Sequence, residues 1–462
     1  MAARISKTAK FLAVVSGVAL FLILGASQTP EQSDALRPPD SVRGLLTGAW
    51  TAARNMSGIE FYPIPLDPPS FPPVSRGASP RQWTIWGQGS WDTRHGRLYV
   101  AVGDHGGVDA RLHIVEFDPS TNKIGLSPDI NAGIGGKPGS FRDGKIHGRL
   151  EFYDGPWVWF CTYWAKYPEP DEKDYGSGYR GGHIVRYNVE TGAIVDEGVP
   201  LTRASWPGHR LDATRGILYA SGHFGEFLAW DIRLGKARFA GFPPPGSTWA
   251  NRVLLLDEKT GMVYSTSSEA SDGRYPLVRY EPDRNRFRQL ACAMPSDGKG
   301  QTGPIRCHTD HRGPDGLFWG LTQNGVLFSF DPDASQVAAF GEAWPGQNRY
   351  TTSIARSPGG RYLYYLPGAH GDGFLEGMPL VQFDTVSRKF KVLAFLGPYL
   401  LKRSRYLCGG TYSVALDDKG ERLFVAMNGA WQNPAAQDIL PASALGVPAL
   451  LVITIPSEER KE

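Results

Sequence analysis

Charge of one sign is what this chain lacks most plainly: its 462 residues carry 49 basic and 46 acidic side chains, a formal net charge of +3. Binding a nucleic-acid backbone needs a basic stripe or patch, and none stands out, which sets nucleic acid aside as a partner. Cysteine is scarce too, and four in a chain of this length exclude a disulfide scaffold. Long apolar runs are nearly missing. Only residues 11–26 approach the length of a membrane span.

That one run has the shape of an export signal. Arg4, Lys7 and Lys10 precede it and the small residues Gly25, Ala26 and Ser27 end it. A basic start, an apolar centre and a small-residue end predict a signal peptide over residues 1–27, with an uncleaved anchor as the alternative. Either way the body of the protein is expected outside the cytoplasm, periplasmic or extracellular, and in touch with a membrane only through this segment. Of the cysteines, Cys161 lies in a strand-like run and Cys408 beside one, so both are expected as buried thiols. Cys292 and Cys307 flank a Gly/Pro-rich connection and are expected to pair as a disulfide in an oxidising compartment. A zinc site of Cys292, Cys307, His308 and His311 is the alternative.

What is abundant is glycine and proline, 56 and 36 residues, which favours short strands and tight turns over helices. Residues 28–57 read as a linker with one short helix near 41–55, and the proline-rich stretch 63–80 reads as extended and draped over a surface. From Trp83 onward a pattern repeats: a turn glycine and then an apolar strand, at Gly96, Gly155, Gly216, Gly261, Gly316, Gly360 and Gly420, with a mean period of 54 residues. After each of the first six comes an aromatic residue followed by an acid or Asn: Phe117-Asp118, Tyr187-Asn188, Trp230-Asp231, Tyr280-Glu281, Phe330-Asp331 and Phe383-Asp384. Each unit therefore reads as four antiparallel strands. Seven such units predict an all-β, seven-bladed β-propeller over residues 58–456, expected as a monomer, with a charged tail at 457–462. The seventh unit lacks a fourth strand. The alternating run at residues 59–66 is expected to supply it and close the ring.

Candidate chemistry gathers where the innermost strands begin. His147, His308, Thr352 and Tyr412 each lie eight residues before a turn glycine, and His209 lies seven before one. Asn251 and Arg252 precede the apolar start of the fourth unit. Equivalent ring positions should bring these groups to one end of the central channel, on the face with the long, variable loops. His147, His209 and His308 are candidate ligands for a divalent metal (zinc, calcium or manganese). The second unit adds Tyr163 and Trp164 after its second strand, then a Tyr-rich insertion with Tyr175 and Tyr179 leading to His183. Flat aromatic faces beside polar groups suit a sugar-binding cleft. His223 occupies the matching loop of the third unit.

The run from Gly103-Asp104-His105 through Phe117-Asp118-Pro119, Lys145-Ile146-His147-Gly148 and Gly181-Gly182-His183-Ile184 resembles a group of bacterial secreted propellers. That group includes the ulvan lyases and, more distantly, oligogalacturonate lyase. The resemblance implies cleavage of uronate-containing polysaccharides by β-elimination, with His and Tyr as base and acid and with Arg or a metal facing the sugar carboxylate. His147 matches the first family histidine. At the second, this chain offers the stretch from Tyr163 to Tyr167. Where the family carries a third-unit tyrosine it reads Ala220-Ser221-Gly222-His223-Phe224. Arg252 stands in for an arginine that is not present after Gly241. The implied catalytic set is His147, Tyr163 and Arg252, with Trp164, Tyr175, Tyr179, His183, His223 and Tyr412 contacting an acidic polysaccharide or oligosaccharide. A non-catalytic glycan- or protein-binding propeller and a lactonase-like metal hydrolase are the competing expectations.

Overall fold

The computed structural model describes residues 34–56, 58–66, 83–104, 107–164, 169–250, 252–268, 272–432 and 446–461, without the side chains of residues 371, 372, 411 and 412. The expected leader, most of the proline-rich stretch, His105, Tyr167 and Asn251 lie outside the described residues, as does the side chain of Tyr412. Among the described residues no helix is long and apolar enough to cross a membrane.

Seven four-stranded antiparallel blades follow one another along the chain, forming a seven-bladed β-propeller. The third is typical, with strands Gly208–Asp212, Ile217–Ser221, Phe227–Asp231 and Lys236–Gly241 in sequential order. Its first three strands are buried and its fourth alternates between exposed and half-buried residues, so the first strand is innermost and the fourth is on the rim.

The repeated sequence signals have a shared physical cause. All seven turn glycines, Gly96 to Gly420, sit at φ between 63° and 92°, a conformation in which a side chain is strained. The acid or Asn after the aromatic residue accepts a backbone N–H two residues on. Ser120 N donates to Asp118, Glu190 N to Asn188, Arg233 N to Asp231, Asp333 N to Asp331 and Val386 N to Asp384, at 2.8–3.1 Å. This side-chain turn closes the third-to-fourth-strand hairpin. The fourth blade departs from the pattern: Glu281 instead pairs with Arg279 and Arg286.

The seventh blade takes its outer strand from far upstream. Gly58–Pro63 pairs antiparallel with Ala449–Thr454, from Gly58 opposite Thr454 to Pro63 opposite Ala449. Asn428 of the same blade lies against the start of the first, where its side chain accepts from Ile85 N (2.7 Å) and donates to Ile85 O (2.9 Å). The segment expected as a linker is more than that. A single helical turn, Asp40–Arg43, is followed by Trp50–Ala52, which adds a fifth, parallel strand to the sixth blade. The reason is Trp50, which stacks on Phe390 at 4.4 Å and meets Trp344 edge-on at 5.4 Å.

The cysteine expectation is corrected. Cys292 and Cys307 are both free thiols: the first is on the outer strand of the fourth blade, the second on the innermost strand of the fifth. Cys307 faces the Thr351 carbonyl at 3.6 Å instead. Cys161 and Cys408 are buried thiols, as expected.

Candidate functional site at the channel mouth

The starts of the innermost strands converge on a cavity of about 570 Å³, open to solvent, lined from six blades. Trp86 and Gln88 come from the first, His147 and Arg149 from the second, and His209 and Arg210 from the third. Arg252 comes from the fourth, Arg306, His308 and Asp310 from the fifth, and Thr352 from the sixth. Packing here is tight. A Cβ added at Gly148 would fall 2.3 Å from His209 Nδ1, so the glycine of the Lys-Ile-His-Gly run lets neighbouring blades meet.

The three expected histidines line this cavity but do not make a metal centre. Among the described residues no three His, Cys, Asp or Glu side chains come together to hold a metal ion. His209 donates from Nε2 to the Arg149 carbonyl, and His308 donates from Nδ1 to the Thr309 carbonyl at 2.7 Å. The alternative zinc set fails likewise, because His311 turns outward to Glu258. The residues present do not fit a cation: the cavity is itself cationic, and Arg252, Arg306 and Lys145 all press on His147. Burial, reinforced by those three charges, holds the His147 pKa well below the usual imidazole range. Burial also lowers His209 and His308 to about 4.

The cations divide into two kinds. Arg149 pairs with Asp310 at 2.6 Å, and Arg210 with Glu151 at 2.6 Å. Lys145, Arg252 and Arg306 form no ion pair with a carboxylate among the described residues. Lys145 is 5% exposed, and its Nζ lies 3.6 Å from the centre of the Trp86 ring and 5.9 Å from that of Tyr163. Burial, together with Arg252, holds its pKa well below the ordinary lysine value. Arg306 donates to the Tyr350 hydroxyl.

Beside these charges runs a chain of ionisable groups. The Tyr163 hydroxyl donates to His223 Nδ1 at 3.0 Å, and His223 Nε2 faces Glu169 Oε1 at 3.7 Å. Burial pushes the Tyr163 pKa up to about 12, against the pull of Arg252. Its ring meets that of His147 edge-on, with centroids 5.8 Å apart. Trp164 packs on Tyr163 and His223 and is fully buried.

Tyr175, Tyr179 and His183 are not at the mouth. Tyr179 and His183 line a second cavity farther out on the second blade, and Tyr175 packs on Tyr179. There the Tyr179 hydroxyl donates to Asp143 at 2.5 Å, and His183 Nδ1 pairs with Asp196 at 3.0 Å. Sequence reasoning missed Trp86, Arg306 and Glu169. Arg306 was findable, since it stands two residues before His308 as Lys145 stands two before His147. Trp86 and Glu169 carry no repeat signal.

No family model matches the chain, and no curated protein matches its sequence. What is established is a seven-bladed β-propeller with a cationic, histidine-lined channel mouth.

Proposed function

We propose that this is an exported propeller that binds an acidic, uronate-containing glycan at the channel mouth and cleaves it by β-elimination. One observation carries the reading: Arg252 and Arg306 line the mouth and, with buried Lys145, bear on His147 without carboxylate partners among the described residues, beside the hydrogen-bonded pair Tyr163 and His223. Unpaired buried cations are costly, and an anionic ligand would supply the missing charge.

In the reaction a base removes the C5 proton, the C4–O bond breaks, a C4–C5 double bond forms, and the departing oxygen takes up a proton. Arg252 and Arg306 face the sugar carboxylate and stabilise the enolate. His147 is neutral in the free protein and so can accept the C5 proton. A bound carboxylate offsets the three cations that depress its pKa, which makes it a stronger base when substrate is present. Tyr163 keeps its proton at neutral pH and delivers it to the leaving oxygen, with His223 and Glu169 behind it. A second reading, binding without cleavage, is favoured by the burial of the Tyr163 ring, which is 2% exposed.

The test is incubation with a panel of polyuronates, following the absorbance of the unsaturated uronate product. Tyr163→Phe should lower kcat by about 100-fold or more, and Arg252→Gln should raise KM as well. If no polyuronate yields unsaturated product but wild type binds one and Arg252→Gln does not, the protein is a glycan-binding propeller. If none binds, the proposal fails.

A further inference from the structure

The second cavity, about 920 Å³ and open to solvent, lies between the connection that leaves the first blade and the loop of the second. Its lining is basic. Lys137, Arg142 and Arg180 border it, and its two carboxylates are both engaged. Asp143, at the floor, accepts from Thr162 and Tyr179, each at 2.5 Å. Burial raises its pKa against those bonds. Asp196 is held by His183. Burial works against a charge on His183, but Asp196 and Asp143 outweigh it and raise its pKa.

The arginines are not consumed by neighbours. Arg142 reaches Asp109 with one terminal nitrogen at 3.3 Å, while its buried Nε has no hydrogen-bond partner. Lys137 and Arg180 form no ion pair among the described residues. The aromatic part is preassembled: Phe141 packs on Tyr179 at 4.8 Å, and Tyr175 on Tyr179 at 5.7 Å. Arg203 lies over Tyr175 at 4.4 Å and is fixed by Glu172. Cations with spare donors, a polar floor and aromatic faces are what recognise an oxyanion on a sugar ring.

We infer that this cavity is a separate binding site for a charged sugar, a ring bearing a carboxylate or sulfate, held by Lys137, Arg142 and Arg180. Phe141, Tyr163, Trp164 and Tyr179 form one packed cluster, and this aromatic wall stands between the cavity and the channel mouth.

The experiment is calorimetric titration of the full chain with trigalacturonate, a sulfated galactotriose and neutral maltotriose. Lys137→Ala/Arg180→Ala is compared with wild type and with Arg252→Gln/Arg306→Gln. Neither Lys137 nor Arg180 is tied into the blade ladders, and Asp143→Asn serves as a second variant that keeps the floor's shape. The inference expects Lys137→Ala/Arg180→Ala to weaken the preferred acidic trisaccharide by ~10-fold or more, with maltotriose and Tm unchanged. The better of the two acidic ligands names the oxyanion. Because this site stands apart from the mouth, binding that survives Arg252→Gln/Arg306→Gln and is lost in Lys137→Ala/Arg180→Ala supports it even if no cleavage is found. Equal affinity of wild type and Lys137→Ala/Arg180→Ala for both acidic ligands overturns it, as does an equal loss for maltotriose or no acidic ligand binding at all.

Discussion

Replacing Phe61 and Tyr62 with alanine tests whether the upstream strand closes the ring. The two neighbours point to opposite faces, as strand residues must. Phe61 packs on Tyr406 at 4.9 Å and Trp431 at 5.9 Å, inside the core shared with the sixth blade. Tyr62 packs on Phe117 of the first blade at 5.0 Å. A fully buried Phe→Ala change costs ~3–5 kcal/mol, and half-buried Phe61 should cost about 2. Tyr62→Ala should cost about 1–2 kcal/mol by the apolar area it covers. The two share no partner, so the double variant should lose ~3–4 kcal/mol. With ~2.1 cal/mol/K of unfolding entropy per residue over about 400 residues, that is a fall in Tm of roughly 4 °C. Urea unfolding followed by tryptophan fluorescence gives the free energy directly, with exposed Val386→Ala as control. A double variant that loses less than ~1 kcal/mol at unchanged m-value would mean the strand decorates the ring without closing it.

Asn428→Ala strands both polar groups of Ile85 in a buried seam and should cost about 2–4 kcal/mol in the same assay. Asn428→Asp should not rescue it, because a carboxylate cannot donate to the Ile85 carbonyl. Acid should destabilise the protein through His209 and His308. Their folded pKa values of about 4 lie below the ordinary 6.5, so the unfolded chain binds more protons between these values. Stability should therefore be full above pH 6.5 and fall towards pH 4. Unfolding at pH 7.5 and 5.0 should show a smaller acid loss in His209→Asn, and an equal loss would contradict the burial argument.

The fold was legible because each signal has a local cause repeated from blade to blade. A turn at positive φ demands glycine, and a hairpin closed by a side chain demands Asp or Asn after the third strand. The start of the innermost strand was legible by the same logic, since equal offsets from equal turns must converge on the axis. Contacts made between blades were not legible. Trp50 belongs to the sixth blade because of Phe390 and Trp344, some 300 residues away, and no periodicity announces such a partner. The same blindness grouped the aromatic candidates into one cleft. Tyr163 and Tyr179 are 16 residues apart and share one apolar cluster, yet only the first meets His147 of the mouth, because the insertion carrying Tyr179 folds back over Asp143. The Cys292–Cys307 expectation failed for a simpler reason: one end of the connection lies on the rim and the other at the axis.

Cations gathered without counter-charges are a stability cost, and that cost can be measured apart from any activity. Arg252 helps depress the pKa of both Lys145 and His147, so the folded state disfavours their charged forms. For Lys145 the unfolded chain binds the proton more readily. The group therefore destabilises the fold at neutral pH, and stability should rise as pH climbs towards its unfolded value of about 10.4. Arg252→Gln keeps a side chain of similar reach while removing one charge. It should make the protein more stable by about 0.5–2 kcal/mol at pH 7, even as it weakens acidic-glycan binding. Wild type should gain more than the variant between 0.1 M and 1 M salt, since the screening length falls from about 10 Å to 3 Å and partly buried charges still feel some of that change. Urea unfolding at both salt concentrations decides it. If Arg252→Gln is less stable than wild type at both, Arg252 is a structural residue holding Tyr163 in place, and the mouth was not built to await an anion.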